Sequence, residues 1–256
     1  TEVSPDEAAA QAEAATGDEG SRIIGGRNAQ PGELPFQVQI FDPDPNTAKD
    51  RRVQLWQQAH RCGGVLIAPD WVLTAAHCFF PSDMKLLPGE KTLPQQPTKW
   101  FKVRAGTIGI TSASPGGIVA DVAEIRVHPG YVPCPNCPTV GGSVARMPYS
   151  RLLTHDIALV RLRQPLPRTD SIEPVRLYDP ARDRGLQPSR QVVAAGWGLA
   201  SNDMATEARV LGAVRPQGGN SLVRAKPEPI LQVASLQIVP CTGEGELPTH
   251  ICAGGR

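Results

Sequence analysis

The stretch CGGVLIAPDWVLTAAHC, Cys62–Cys78, decides the fold class. Two short apolar segments flank the dipeptide Pro69-Asp70, which is typical of tight turns, so the stretch predicts a β-hairpin. Segments of the same kind alternate with loops rich in Pro, Gly and Asp: FQVQIF, WFKVRAGTIGI, DIALVRL and QVVAAGWG. Their lengths and β-branched content favour strands, and no long stretch keeps helical spacing. We therefore predict an all-β, antiparallel fold, a barrel or a sandwich.

Composition excludes several classes of function. A chain of 256 residues is long enough to bury a substantial core. Its net charge of +1 gives no general electrostatic basis for binding nucleic acid or an anionic membrane. No apolar run is long enough to cross a bilayer. We therefore expect neither nucleic acid nor membrane among the partners.

Cysteine usage indicates the compartment. The chain has six cysteines, an even number that permits three bridges: Cys62, Cys78, Cys134, Cys137, Cys241 and Cys252. That count favours an oxidising compartment. Residue 1 is Thr rather than Met, and no charged-then-apolar export signal precedes the rest. We expect a secreted or periplasmic protein whose leader has been removed, and cytosolic thiols are the less favoured alternative.

The composition changes twice along the chain. Residues 1–22 are acidic and Ala-rich with almost no large apolar side chain, which predicts a solvated tail, either a pro-segment or a linker. Short apolar segments begin at Ile23. The stretch at about 166–190 is dense in Pro, Arg and Asp, as a surface crossing between two halves is. We therefore expect one half at about 23–165 and a second at about 191–256.

His77, in TAAHC, is a candidate general base. The small side chains of Ala75 and Ala76 allow another surface to approach closely. Cys78 can form a bridge to Cys62, which lies 16 residues upstream. A bridge over a loop of that length stabilises a fold by roughly 3 kcal/mol and would also hold the imidazole's backbone in place.

Asp156, in HDIALVRL, stands at the start of an apolar strand, where a carboxylate is costly to bury unless a strong donor binds it. An imidazole N–H is such a donor, and in that pairing Asp156 fixes the tautomer of His77 and stabilises the imidazolium. His155 faces the opposite side of an extended chain, so we interpret it as a bystander. The other histidines have loop-like contexts and are interpreted as ordinary surface residues: His60, His128 and His250.

These residues carry a family resemblance. CGGVLIAPDWVLTAAHC and HDIALVRL resemble the trypsin/chymotrypsin family of serine proteases. Three further stretches agree in the same order: SRIIGG at 21–26, AAGWG at 194–198 and VPCTGEGELPTHICAGG at 239–255.

The resemblance implies a fold and a function. The fold would be two antiparallel six-stranded β-barrels, with the active site in the cleft between them. The function would be hydrolysis of protein or peptide substrates through an acyl-enzyme, with His77 and Asp156 catalytic. It also implies activation by cleavage between Arg22 and Ile23 and a Cys241–Cys252 disulfide. An activating protease and protease inhibitors would be further partners, and we expect no cofactor and no metal.

One catalytic element is not found in these 256 residues. The family order is His, Asp, then Ser, and the chain shows no partner serine. In the family a GDSGGP segment follows the ICAGG region by roughly ten residues, and it brings the oxyanion-hole amides with it. We therefore expect the second barrel to be incomplete here and this chain by itself to be inactive. The alternative is a non-catalytic homologue that acts as a binding module.

CPNC, Cys134 to Cys137, does not belong to the family pattern. A local bridge that stiffens a Pro-rich loop is the favoured interpretation. Zinc binding and redox activity are less favoured, because only two ligands are evident and no thioredoxin-like βαβ context surrounds the pair.

Overall fold

Short antiparallel strands form most of the regular structure. The computed structural model describes residues 26–44, 54–80, 95–111, 116–131, 139–140, 143–144, 155–179, 181–183, 188–198, 229–240 and 252–254. The strands in chain order are β1 (Arg27–Asn28), β2 (Gln37–Phe41), β3 (His60–Ala68), β4 (Trp71–Thr74), β5 (Lys102–Ala105), β6 (Ile118–Val127), β7 (Thr139–Val140), β8 (Ser143–Val144), β9 (Ala158–Leu162), β10 (Gln191–Gly196), β11 (Gln232–Val239) and β12 (Cys252–Gly254). The helices within these described ranges are short: α1 (Leu55–Ala59) and two 3₁₀ segments, Ala76–Phe79 and Thr98–Trp100.

Six strands close into an antiparallel barrel in the order β2-β3-β4-β9-β6-β5. Strand β9 shows which face of a strand is buried in this barrel. Ala158, Val160 and Leu162 are buried, while Arg161 between them is exposed. Successive side chains of a strand point to opposite faces, so one face of each strand fills the barrel. Eight of the described residues in the barrel core have no exposed area: Val38, Ile40, Leu66, Val72, Ala76, Phe79, Val103 and Val160.

The hairpin predicted at Pro69-Asp70 is confirmed, with β3 and β4 paired on either side of that turn.

A glycine in β3 is required by close packing. A Cβ on Gly64 would lie 2.8 Å from Val72 Cγ1 and 3.1 Å from the Leu73 carbonyl oxygen. Both are closer than side-chain carbon atoms normally come, so the second glycine of CGGV lets β3 and β4 approach each other.

A second antiparallel sheet is built around β11, which pairs with β1, β10 and β12. Trp197, from the AAGWG stretch, is 1% exposed, and its Nε1 donates to the Ile108 carbonyl oxygen at 2.7 Å. The Trp197 indole packs in a cluster whose other buried members are Ala29, Ile110, Leu231 and Val233. Strand β1 therefore belongs to this sheet, although its residues precede the barrel in the chain.

The all-β fold class is confirmed, and the closed barrel together with the second sheet fits the trypsin-like double-barrel fold. In the described part of the crossing, the backbone runs along the barrel. The Glu173 N–H donates to the Pro35 oxygen at 3.0 Å, and the Val175 N–H donates to the Leu66 oxygen at 2.8 Å. No helix among the described residues is long and apolar enough to span a bilayer.

The interpretation of His60 as a surface residue in a loop is wrong, because His60 is the first residue of β3. Its Nδ1 lies 3.3 Å from Nε2 of Gln39, a side chain that is 2% exposed. The Gln39 amide oxygen in turn accepts from Arg104 at 3.2 Å. The His60 ring meets the edge of Trp197 with 6.3 Å between centroids. Burial lowers the pKa of His60 from 6.5 to about 4, since the charged imidazolium is poorly solvated there.

We predict that His60 makes the fold less stable in mild acid. The unfolded chain takes up the proton near pH 6.5 and the folded chain only near 4, so protonation favours unfolding across that interval. The free energy of unfolding should fall by about 3 kcal/mol between pH 7 and 4 from this group.

The His60→Gln variant keeps an acceptor for Gln39 and cannot titrate in this range. Urea denaturation of both proteins at several pH values measures the difference. The gap in unfolding free energy between them should change with pH. A gap that stays constant from pH 7 to 4 would contradict the prediction.

Candidate active site

His77 lies on a short helical turn whose neighbouring residues are buried, so that its own side chain faces the solvent. The 3₁₀ segment Ala76–Phe79 follows β4, and both Ala76 and Phe79 are fully buried. Phe79 packs edge-on against Phe101 at 5.0 Å between centroids. Because its neighbours point into the barrel, the His77 side chain points outward and is 57% exposed.

A disulfide fixes this turn to the neighbouring strand. Cys62, in β3, and Cys78, in the 3₁₀ segment, are bonded, with their Cα atoms 6.1 Å apart. The Thr74 hydroxyl adds a second link by donating to the Gly63 carbonyl oxygen at 2.8 Å. The two sulfur atoms lie 3.9 and 3.8 Å from His77 Nε2, so the bridge also contacts the imidazole itself.

Asp156 accepts two hydrogen bonds from His77. Oδ1 of the carboxylate accepts from the His77 backbone N–H at 2.8 Å, and Oδ2 lies 2.8 Å from Nδ1 of the ring. The carboxylate is only 15% exposed. An ionised carboxylate can only accept, so Nδ1 carries the ring proton and Nε2 is left with its lone pair. The imidazole is therefore set to take up a proton at Nε2.

Tyr131 lies near this carboxylate and packs on Phe80, with 5.5 Å between ring centroids. Burial, reinforced by the negative charge of Asp156, raises the pKa of Tyr131 to about 12. The phenol is therefore neutral at any physiological pH. This residue could not be identified from the sequence, because a lone tyrosine after a Pro-Gly turn carries no chemical signal.

Three side chains at the site have atoms that bind metals in other proteins. Cys62, His77 and Cys78 place two sulfurs and a ring nitrogen within 4.8 Å of one another, the one such group among the described residues. The sulfurs are bonded to each other, however, and it is the thiolate that binds a metal. In this oxidised state the disulfide supports the His77 imidazole through these contacts.

The other predicted site residues lie outside the described residues or have no described side chain. Arg22 and Ile23 of the activation junction are outside, as are three of the cysteines, Cys134, Cys137 and Cys241. Cys252 begins β12, but its side chain is not described. The structure thus brings together His77, Asp156, Cys62 and Cys78.

Two histidines are in contact beside the site, His155, which was interpreted as a bystander, and His128, which was interpreted as an ordinary surface residue. His128 and His155 stack with 4.6 Å between centroids and 14° between ring planes. His155 was expected on extended backbone, but its φ is 60°, in the left-handed region. The HPGY sequence at 128–131 was the available signal, because Pro-Gly marks a turn that can bring His128 back toward another segment.

An imidazole oriented by a largely buried carboxylate is the arrangement of a general acid–base centre. Residues 23–221, well over half of the chain, match the family described as Trypsin, and the chain belongs to that family. It is also similar to Transmembrane protease serine 9 of Rattus norvegicus, with 27% identity over 190 residues. The matched region covers 74% of this chain and 14% of that protein, so the chain spans only a small part of the relative.

We predict that the Cys62–Cys78 bridge contributes substantially to stability. Replacing both residues by Ala should lower the free energy of unfolding by about 3 kcal/mol, because the unfolded chain loses a constraint closing a separation of 16 residues. Urea denaturation without reductant measures the change.

Thr74→Val is the matched control, since it removes the neighbouring hydrogen bond to Gly63 and keeps the bridge. It should cost about 1 kcal/mol. Equal losses in the two variants would show that the bridge adds no more than a hydrogen bond does.

Proposed function

We propose that the protein is a serine endopeptidase in which His77 is the general base and Asp156 orients it. The contact that carries this proposal is the pair of 2.8 Å hydrogen bonds from His77 to the Asp156 carboxylate. These bonds fix the direction of the ring as well as its tautomer. A base must be directed at the proton that it removes, and membership of the trypsin family supports a peptide carbonyl as the target.

The reaction is acyl transfer in two stages. In the first, Nε2 of His77 takes the proton of a serine hydroxyl as its oxygen attacks the peptide carbonyl, and the imidazolium then protonates the leaving amine. In the second, water attacks the acyl-enzyme with His77 again as base. The Asp156 carboxylate stabilises the imidazolium in both stages without taking the proton.

The nucleophile is not assigned to any serine among these 256 residues, and the family places it after the ICAGG motif. Without a nucleophile, turnover is reduced by on the order of 10⁶-fold. We therefore propose that the 256-residue chain by itself does not hydrolyse peptides. An organophosphate probe that labels reactive serines tests this directly, and rapid labelling of this chain would refute it.

Sequencing the coding DNA beyond Arg256 tests the whole proposal. A GDSGGP-like segment would support the peptidase. Gly or Ala in place of its serine would instead support the non-catalytic binding module.

We predict that Asp156→Asn lowers kcat by roughly 10⁴-fold in a form that carries the nucleophile, because the amide holds the imidazole in the wrong tautomer. The measurement is steady-state hydrolysis of a peptide amide.

Asp121→Asn is the matched control. Its carboxylate pairs with Lys102 on the barrel surface, where its side chain is 57% exposed, and its kcat should stay unchanged. Equal activity of the two variants would remove Asp156 from the mechanism.

Activation by cleavage between Arg22 and Ile23 is part of the proposal. The match to the family begins at residue 23, which supports this position for the new amino terminus. The ammonium released at Ile23 would pair with a buried carboxylate and order the substrate pocket. The acidic segment 1–22 is then a pro-segment. Amino-terminal sequencing of active protein tests it, and an active species that starts before Ile23 would refute it.

The proposed surroundings follow from the family and the disulfide. The Cys62–Cys78 bridge supports an oxidising compartment, secreted or periplasmic. Partners would be protein or peptide substrates, an activating protease and protease inhibitors.

We further propose local bridges at Cys134–Cys137 and Cys241–Cys252. A thiol titration of the denatured, unreduced protein should find no free thiol, and any titrating pair would contradict one of these bridges.

A further inference from the structure

The turn His128–Tyr131 is closed by its own hydrogen bonds at the end of β6. The Tyr131 N–H donates to the His128 carbonyl oxygen at 2.9 Å. The Gly130 N–H donates to Nδ1 of His128 at 3.0 Å. The His128 N–H donates to the Ile157 carbonyl oxygen at 3.0 Å, which ties the turn to the residue after Asp156. The position of the His128 ring is therefore set by the turn and is linked to the segment that carries the carboxylate.

Two rings of this turn contact residues that neighbour the two partners of the proposed catalytic pair. The His128 ring stacks on His155, the residue immediately before Asp156, at 4.6 Å between centroids. The Tyr131 ring packs on Phe80 at 5.5 Å. The Phe80 N–H donates to the His77 carbonyl oxygen at 3.1 Å and so closes the 3₁₀ segment that carries the base. One turn thus contacts the supports of both partners.

The backbone of His155, immediately before Asp156, has a conformation that neighbouring contacts must stabilise. His155 has a φ of 60°, and a non-glycine residue in the left-handed region costs free energy that surrounding contacts must offset. The Ile157 N–H donates to the His155 carbonyl oxygen at 2.7 Å, so Asp156 lies at the centre of a tight turn. A small rotation at His155 would turn the carboxylate away from His77.

Gly130 is what allows the rings to come together. A Cβ at this position would lie 3.0 Å from Nδ1 and 3.1 Å from Cγ of His155, and 3.2 Å from Nδ1 of His128. These separations are shorter than ordinary van der Waals contacts. A side chain at residue 130 therefore requires the stacked rings to give way by a few tenths of an ångström.

We infer that the turn His128–Tyr131 is a clamp that holds the Asp156 carboxylate against His77, with His128, Gly130 and Tyr131 as positioning residues. None of them needs to touch the substrate. They act by stabilising the left-handed turn at His155 and the end of the His77 segment. The catalytic importance of the clamp rests on the proposed function, but its effect on the His77–Asp156 hydrogen bond does not.

The test is proton NMR of the 256-residue chain, which requires no hydrolysis. The Nδ1 proton of His77, bonded to a carboxylate, should resonate downfield of the amide region, and Asp156→Asn assigns the signal by removing it. Gly130→Ala should broaden the signal or move it at least partly toward the amides. Gly198→Ala is the matched control, because a Cβ there meets nothing within 4 Å, and it should leave the signal unchanged.

A second variant covers the case in which Gly130→Ala does not fold. His155→Asn keeps a residue that tolerates the left-handed region and removes the stack, and it too should broaden or move the signal. An unchanged signal in folded Gly130→Ala, or in His155→Asn, would overturn the clamp. Absence of the signal from the parent chain would refute the His77–Asp156 pairing itself. A complete protein that shows the signal and hydrolyses no peptide would refute only the proposed function.

Discussion

The Asp156 carboxylate is the point on which the site depends. It joins two segments 79 residues apart, and it does so with both of its oxygens, one on the backbone of His77 and one on the ring. A carboxylate that is only 15% exposed is stable in the ionised form when strong donors bind it. The same two hydrogen bonds stabilise the negative charge of the carboxylate and orient the His77 imidazole. Strand β4, which ends before His77, and strand β9, which begins after Asp156, are paired directly, so the distance between the two residues follows from the distance between neighbouring strands.

Local patterns predicted the parts of the fold that depend on local chemistry. The alternation in DIALVRL and the Pro-Asp turn specify strands and a hairpin, because side-chain alternation and turn preference act over a few residues. The pairing of Asn28 with Gln232 in β1 and β11 was not predictable in the same way. That pairing joins segments from opposite ends of the chain, and no periodicity within either segment specifies the other.

The site was predictable for a different reason, and only in part. His77 and Asp156 stand in stretches of distinctive composition, so their pairing could be inferred before any geometry was known. His155 was misinterpreted because alternation assumes extended backbone, while its φ is 60°. His60 was misinterpreted because its polar neighbours resemble a loop, although its ring packs against Trp197 of the other half. Both errors arise where packing between distant segments overrides the local pattern.

The fixed position of strand β1 restricts how far an amino terminus at Ile23 can extend. Arg27 is held in the second sheet opposite Val233, and its guanidinium pairs with Glu33. A free amine on Ile23 would be separated from that fixed point by four peptide units, or about 14 Å of fully extended chain. It would thus behave as a ligand on a very short tether, whose effective local concentration lies far above that of any dissolved peptide. A binding pocket for it within that radius could be filled by an interaction too weak to retain a free competitor.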